Sequence, residues 1–315
     1  MRILSRVPAF NFLGASRRRL AVAVSVLAII ASIVALAIPS QRLALGIDFS
    51  GGIELEVAYP AAADLDAIRT QLTGGGYPDA IVQNFGSADR VLVRLPPEES
   101  ANGTELRQRL LTILSADGTA VDLRRVDFVG PQVGRELTEA GGLATIFTLL
   151  MIFVYVMFRF QWRFAAGAVA ALAHDVIVTI GFFSITQIQF DLTVLAALLA
   201  VIGYSLNDTV VVFDRIRENF LTLRGKEPEE VMNISINQML ARTIITGVTT
   251  LVVLLALFFL GGEAIQPFSI ALIVGIIVGT YSSIYVASAT ALALGVSAKD
   301  LMPPEIPADE IDDMP

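Results

Sequence analysis

The stretch GYSLNDTVVVFDRIREN, residues 203–219, continues a long apolar run and ends in four charged residues. The apolar run starts at Leu192, so residues 192–213 are long enough to cross about 30 Å of hydrocarbon as one helix. Asp208 precedes Asp214, the first of the four charges, by about 9 Å along such a helix. Insertion scales assign a penalty of about 2.5 to 3.5 kcal/mol to a carboxylate at the centre of a span, so Asp208 indicates a function or a dedicated partner.

The composition is that of an integral membrane protein. Of the 315 residues, 55% are hydrophobic and 17% are charged, whereas about a quarter are charged in soluble domains. The chain has no cysteine and one histidine, which excludes disulfides and Cys- or His-rich metal sites, so we expect no metal. The net charge of −8 argues against a nucleic-acid partner, which would need a basic surface. Membrane lipids are the expected surroundings of most of the chain.

Six apolar segments are predicted to span the membrane as helices, the second of them short. Lys and Arg cluster before the first segment, between the second and third, and between the fourth and fifth, which places both termini in the cytoplasm. The first segment is a poorer match to a cleaved signal peptide, because its apolar run is too long for one. The predicted spans cover about residues 20–38, 142–158, 164–186, 192–213, 243–261 and 267–291, and residues 1–19, 214–242 and 292–315 are predicted to be cytoplasmic.

Residues 39–137 are predicted to form a periplasmic α+β domain. Ile53, Leu55 and Val57 alternate with acidic residues, as in a half-buried strand. Leucines and isoleucines at helical spacing follow from Leu65, and a second helix is predicted to open at Pro96. With further strands at 80–85, 90–95 and 121–129, the order is βαββαβ, which is a ferredoxin-like split unit. Within the loop 214–242 we predict two short polar helices broken near Pro228, and the acidic tail after 292 is predicted to be disordered.

Two interpretations of Asp208 are open from the residues alone. Burial disfavours the charged form of a carboxyl group, and a group that can exist in either protonation state is what a proton relay needs. Alternatively, the side chain is a hydrogen-bonding contact that holds neighbouring helices together. Asn207 is adjacent and turns about 100° away.

Arg242 is the natural counter-charge of Asp208, since both lie towards the cytoplasmic side of their spans. Its alternative role is a plain cytoplasmic anchor of the fifth span. Thr246 and Thr249 follow on the same helix face, which predicts that this face looks into the bundle or a water-filled path. His174 and Asp175 lie near the middle of the third span, and they are candidates either for a proton pathway or for a structural polar contact.

The sequence also limits the source of energy. It contains no G-x-x-x-x-G-K-[ST] phosphate-binding loop, no H-E-x-x-H and no G-x-S-x-G motif. We therefore expect no catalytic site and no cofactor, with an ion gradient as the driving force.

Four motifs in order resemble the SecD/SecF family of the RND superfamily, and in particular its SecF branch. They are LGIDFSGG (45–52), FVGPQVGREL (128–137), AHDV (173–176) and VIGYSLNDTVVVFDRIREN (201–219). The resemblance covers nearly the whole chain up to about residue 297. It implies half of an RND-type bundle, with SecD supplying another six spans, in the bacterial inner membrane.

The resemblance further implies that the chain acts with the SecYEG channel and YajC. In the family, the proton gradient helps to draw a preprotein out after SecA has inserted it. An aspartate of the fourth span and an arginine near the start of the fifth matter for proton flow there, and they correspond to Asp208 and Arg242.

The glycine-rich motifs flank the periplasmic domain and predict tight bends where the chain leaves and re-enters the membrane. These bends are either hinges that transmit motion or simple turns. The residues concerned are Gly46, Asp48, Gly51 and Gly52 on one side, and Gly130, Pro131 and Gly134 on the other.

Two other classes of function are weighed against translocation. An RND-type exporter of small molecules or lipids would share the proton relay, but one domain of about 99 residues is small for its substrate path. A structural assembly factor would need no ionisable residue in the membrane, so it would tolerate Asp208→Asn.

Overall fold

A computed structural model describes residues 10–96, 103–116, 118–223 and 225–297. Residues 97–102, which belong to the predicted first turn of the second domain helix after Pro96, and most of the predicted acidic tail lie outside these ranges. In chain order the helices and strands are α1 (Ala15–Ala37), α2 (Ile47–Ser50), β1 (Gly52–Ala58), α3 (Leu65–Gly74), β2 (Ile81–Phe85), β3 (Ser87–Leu95), α4 (Gly103–Leu114), β4 (Asp122–Val129), α5 (Pro131–Arg159), α6 (Trp162–Thr186), α7 (Leu192–Thr222), α8 (Pro228–Leu260), α9 (Gln266–Ser282), a π-helical turn (Ser283–Ala287) and α10 (Ser288–Ala293).

Six helical units in the described residues are long and apolar enough to cross a membrane. They are α1, α5, α6, α7, α8 and the continuous unit from Glu263 to Ala293. The most apolar window of α6 is 56% buried and that of the last unit 44%, against 11% for α5 and 17% for α8. The bundle therefore has α6, α7 and the last unit at its centre, with α1, α5 and α8 outside.

Small residues let the central helices approach closely. The backbone of α9 at Gly275 lies against Val201 of α7, where a Cβ would come within 2.2 Å of a Val201 methyl carbon. A Cβ at Gly167 of α6 would come within 2.7 Å of the carbonyl oxygen of Ala287. Such contacts are the usual means of helix association in lipid, where burial of apolar surface supplies no driving force between helices.

The domain between α1 and α5 contains a four-stranded antiparallel sheet with the order β2-β3-β1-β4. Ile53, Leu55 and Val57 of β1 point to one face and pack in one cluster with Leu72 of α3 and Leu110 of α4. Together with the βαββαβ order, this topology confirms the predicted ferredoxin-like fold.

The opposite face of the sheet carries charges and lies against loops between the spans. Arg94 pairs with Glu54 at 2.8 Å, and Arg90 contacts both Glu56 and, at 3.2 Å, Glu263 of the α8–α9 connection. The Glu56 carboxylate raises the pKa of the Arg90 guanidinium, which keeps the arginine charged. Gln189 of the α6–α7 loop donates to Glu54 at 3.2 Å. The domain is thus fixed to two membrane loops by polar contacts.

The lead-in segment 44–48 joins the domain to α7. The backbone N–H of Gly46 donates to the Phe190 carbonyl, and that of Phe190 donates to the Ala44 carbonyl, both at 2.8 Å. The Asp48 carboxylate accepts the Leu192 N–H at 3.0 Å, at the first residue of α7. The bend itself is made by Gly51 with φ 69° and Gly52 with φ 125°, conformations that favour glycine.

Two predictions of local structure were wrong. Residues 131–137 are not a turn, because α5 begins at Pro131 with Gly130 as its N-cap, and Gly134 is a buried helical residue. The loop 214–242 contains no two separate polar helices, since α7 extends to Thr222 and α8 begins at Pro228. In both places a membrane helix continues past the end of its apolar sequence.

Candidate functional site

Asp208 lies half-buried where α7, α8 and the π-helical turn meet. Its Oδ1 accepts the hydroxyl of Thr243 at 2.6 Å, and its Oδ2 accepts the hydroxyl of Ser283 at 2.6 Å. Hydroxyl groups can accept as well as donate, so the same partners can serve a protonated or an ionised carboxyl group. Hydrogen bonds from α8 and from the π-helical turn therefore hold the Asp208 carboxyl group at this junction.

Asp175 forms a second carboxylate centre on α6, and its side chain is fully buried. Its Oδ2 accepts the hydroxyls of Ser205 at 2.6 Å and Ser282 at 2.8 Å. Its Oδ1 lies 3.0 Å from Nδ1 of His174, which is also buried. A buried carboxyl group needs such donors, because an unpaired charge in this environment is strongly unfavourable.

Ser282 and Ser283 connect the two centres. These adjacent residues lie at the point where α9 passes into the π-helical turn, and one binds Asp175 while the other binds Asp208. On α7, Ser205 and Asp208 belong one to each centre and are three residues apart. Turns of π-helix are rare and frequently mark functional sites. The two carboxyl groups are thus bound by residues that are adjacent in the chain on the last membrane unit and one turn apart on α7.

This network was only partly predictable. Asp175, His174 and Asp208 stand out as ionisable residues in apolar helices, whereas Ser205, Ser282 and Ser283 were missed. Serines in apolar helices commonly hydrogen-bond to the preceding turn of their own helix, so their type carries little signal. The sequence YSSIYVASAT at 281–290 is rich in small polar residues, and this was the available clue.

Arg242 does not pair with Asp208 in this structure. Across the described ranges its guanidinium makes no ion pair, and the neighbouring Thr243 contacts the carboxylate instead. Asn207 of α7 and Arg242, Thr246 and Thr249 of α8 are exposed, and the three residues of α8 share one helix face by their spacing. The Thr246 hydroxyl donates to the Arg242 carbonyl at 3.0 Å, within its own helix. The four residues are together called the exposed polar face, and Asn207 and Arg242 are the sequence neighbours of Asp208 and Thr243, which bind each other.

Ser283→Ala is expected to weaken the Asp208 centre while leaving Asp175 bound. The variant removes the hydroxyl that donates to Oδ2 of Asp208 and leaves the Thr243 hydroxyl on Oδ1. The ionised carboxylate thereby loses about 1 to 3 kcal/mol of stabilisation. The carboxyl infrared absorption of Asp208 should therefore shift in frequency, because one of its two hydroxyl partners is lost, whereas the absorption of Asp175 should not change. Ser288→Ala is the matched control, because Ser288 donates to the Ser283 carbonyl and contacts neither carboxylate. An equal change in both variants would contradict the assignment.

Comparison with known proteins identifies the family. The model of the C-terminal region of protein export membrane proteins SecD/SecF matches residues 110–297. The protein translocase subunit SecF of Vibrio alginolyticus is 54% identical over 294 residues, which cover 92% of this chain and 93% of that protein. The chain belongs to the SecD/SecF family. The SecF subunit of Pseudomonas aeruginosa is 50% identical over 278 residues, covering 88% of this chain and 89% of that one.

Solved structures of the SecD/SecF family agree with this assignment. The crystal structure of SecDF, a translocon-associated membrane protein from Thermus thermophilus, matches with a TM-score of 0.83 and 37% identity over 92% of this chain. A SecDF structure in the super-membrane-facing form matches with a TM-score of 0.67 and 38% identity over 93%. This chain spans 39% of either SecDF chain. It is a SecF-type, multi-pass protein of the bacterial inner membrane that takes part in protein translocation, and the likeness supports partnership with SecD.

Among the described residues, no group of three or more His, Asp or Glu side chains is arranged to hold a metal ion. The polar groups of the bundle are instead paired carboxyls and hydroxyls.

Proposed function

We propose that this SecF-type chain uses the proton gradient to assist preprotein translocation, and that Asp208 is its proton-carrying group. The observation that carries the proposal is the pair of hydroxyl donors on a carboxylate within a membrane span, beside an exposed polar face. The coupling ion is the proton, and the chain needs neither an organic cofactor nor a catalytic site.

Protonation of Asp208 removes a negative charge from the junction of α7, α8 and the π-helical turn. Hydrogen-bond donors stabilise the ionised carboxylate, and the neutral carboxyl group depends on them less. Arg242 is the nearest basic group in sequence on α8, and we assign it the role of electrostatic partner when α7 and α8 shift relative to each other. Asp175 and His174 would carry the proton further, with Asn207 and Thr246 lining the approach.

The exposed polar face is where the second half of the bundle belongs. A face that carries Asn207, Arg242 and Thr246 is unfavourable in contact with lipid tails. SecD, which would supply the other six spans, is the partner that fits. The complex would then act beside SecYEG and YajC, with the domain 39–137 in the periplasm near the emerging preprotein and both termini in the cytoplasm.

The test measures preprotein translocation into proteoliposomes that contain SecYEG, SecA, SecD and this chain, with and without an imposed proton gradient. The gradient should stimulate translocation more strongly when the chain is present, and Arg242→Met should remove that extra stimulation. Arg217→Met, which replaces another arginine on the cytoplasmic side, is the control. Equal stimulation with and without the chain would reject proton coupling, and an unaffected Arg242→Met would leave Arg242 as an anchor.

Experiments in the same vesicles distinguish translocation from the two other functions, an exporter and an assembly factor. An exporter would move a fluorescent small molecule or lipid against its gradient without SecYEG. An assembly factor would raise the amount of assembled complex, while the proton gradient would have no effect through this chain.

A further inference from the structure

A groove lies between α1, α6 and the last membrane unit. Its volume is about 750 Å³, which is within the usual range of about 300–1,000 Å³ for ligand pockets. The walls are mostly apolar, with Val22, Val26 and Ile29 on α1 and Val286 on the opposite side. His174 lies at its inner end. We infer that this groove binds one anionic phospholipid of the cytoplasmic leaflet.

The length of the groove matches one leaflet. On α1 its lining runs from Arg18 to Ile29, a rise of about 16 Å in an α-helix. The hydrocarbon core of a bilayer is about 30 Å thick, so the groove ends near the middle of the membrane. A single acyl chain that enters from the cytoplasmic surface would fill it without crossing to the other leaflet.

The charges at the mouth select an anionic headgroup. Arg18 and Arg19 both line the groove, and none of its described lining residues is acidic. The side chain of Arg19 forms no hydrogen bond or ion pair within the part of the chain that the structure describes. The Arg18 guanidinium, in contrast, lies 3.6 Å from the Glu229 carboxylate. An unpaired guanidinium above an apolar groove at the cytoplasmic surface is the arrangement that binds lipid phosphate.

A neighbouring cavity shows the contrast. This cavity lies between α8 and the segment before α1 that contains Phe10 and Asn11, and its volume is about 840 Å³. Glu227, Glu229 and Glu230 line it. Three carboxylates would repel a phosphate group. The anion therefore belongs in the groove, and Arg18 forms the border between the two cavities.

Arg19→Gln should weaken binding of phosphatidylglycerol about fivefold, since one basic residue near an anionic lipid is worth about that factor. The full-length protein is placed in nanodiscs of phosphatidylethanolamine and phosphatidylglycerol, and the lipid retained per protein is counted by native mass spectrometry. Arg17→Gln is the matched control. Arg17 is exposed on the same turn, donates to the Asn11 carbonyl and does not line the groove.

A second pair of variants tests the groove itself. Ala23→Phe fills the groove, whereas Ala31→Phe adds the same ring at an exposed position of α1 outside it. Loss of bound phosphatidylglycerol in Ala23→Phe alone supports the site. Equal loss in Arg17→Gln and Arg19→Gln, or equal retention of phosphatidylethanolamine, would overturn it. So would release of the lipid on adding SecD, because a partner helix would then occupy the groove. These measurements follow lipid and do not depend on proton-coupled translocation.

Discussion

Asp208→Asn is expected to remove the gradient-dependent part of preprotein translocation completely while the chain still folds and assembles. An amide cannot take up or release a proton in the physiological range, so the junction of α7, α8 and the π-helical turn would stay in one electrostatic state. The amide oxygen can still accept one of the hydroxyls of Thr243 and Ser283. We therefore expect a loss of stability of only about 1 kcal/mol.

The measurement is translocation in the SecYEG–SecA–SecD proteoliposomes, with and without a proton gradient, alongside recovery of the assembled complex. Asp214→Asn is the matched control, because Asp214 lies on the same helix, is exposed and pairs with Arg159 at 3.1 Å. Normal gradient stimulation in Asp208→Asn would make the carboxylate a packing contact, and Asp175 would become the first candidate for the relay.

Gly134→Ala is expected to cause a large loss of stability at the junction between the domain and the membrane helices. A Cβ at Gly134 would come within 2.7 Å of the Gly51 nitrogen and 2.9 Å of the Phe49 oxygen. Both atoms belong to the backbone, so neither can move aside as a flexible side chain would. Overpacking of this kind costs about 1 to 3 kcal/mol, even though alanine is the better helix former.

The midpoint of thermal unfolding in detergent, read by intrinsic fluorescence, measures this effect. Gly142→Ala is the matched control on α5, because nothing lies within 4 Å of a Cβ there. We expect Gly142→Ala to leave the midpoint unchanged or to raise it. A Gly134→Ala variant as stable as its control would show that the contact between α5 and the lead-in to β1 is loose.

The ferredoxin-like domain was predictable because apolar and acidic residues alternate strictly in the middle of β1. Ile53, Leu55 and Val57 point to one face, and Glu54 and Glu56 to the other. Helix ends were less predictable, because α7 and α8 continue beyond their apolar runs with polar residues that lack an apolar signal. Gly134 reads as a turn residue, yet its role is to let two backbones touch, and that depends on a contact distant in sequence.

For the candidate site, sequence identified the carboxylates but not their partners. Arg242 and Thr243 are adjacent, and side chains of adjacent helical residues point about 100° apart. Which of them reaches Asp208 depends on how α8 is rotated against α7, which composition does not determine. Ser282 and Ser283, at the start of the π-helical turn, bind one carboxylate each, and the polar residue type alone does not indicate this.

Helix α7 also links the Asp208 centre to the segment that leads into the domain. Its first residue, Leu192, donates its N–H to Asp48 of the segment leading into the periplasmic domain, and Asp208 lies about 24 Å further along the same rod. If α7 behaves as a rigid rod, a rotation about its own axis at Asp208 would turn Leu192 at its other end by the same angle. A rotation of α7 caused by protonation of Asp208 would then reach the domain through the helix itself, without a separate hinge.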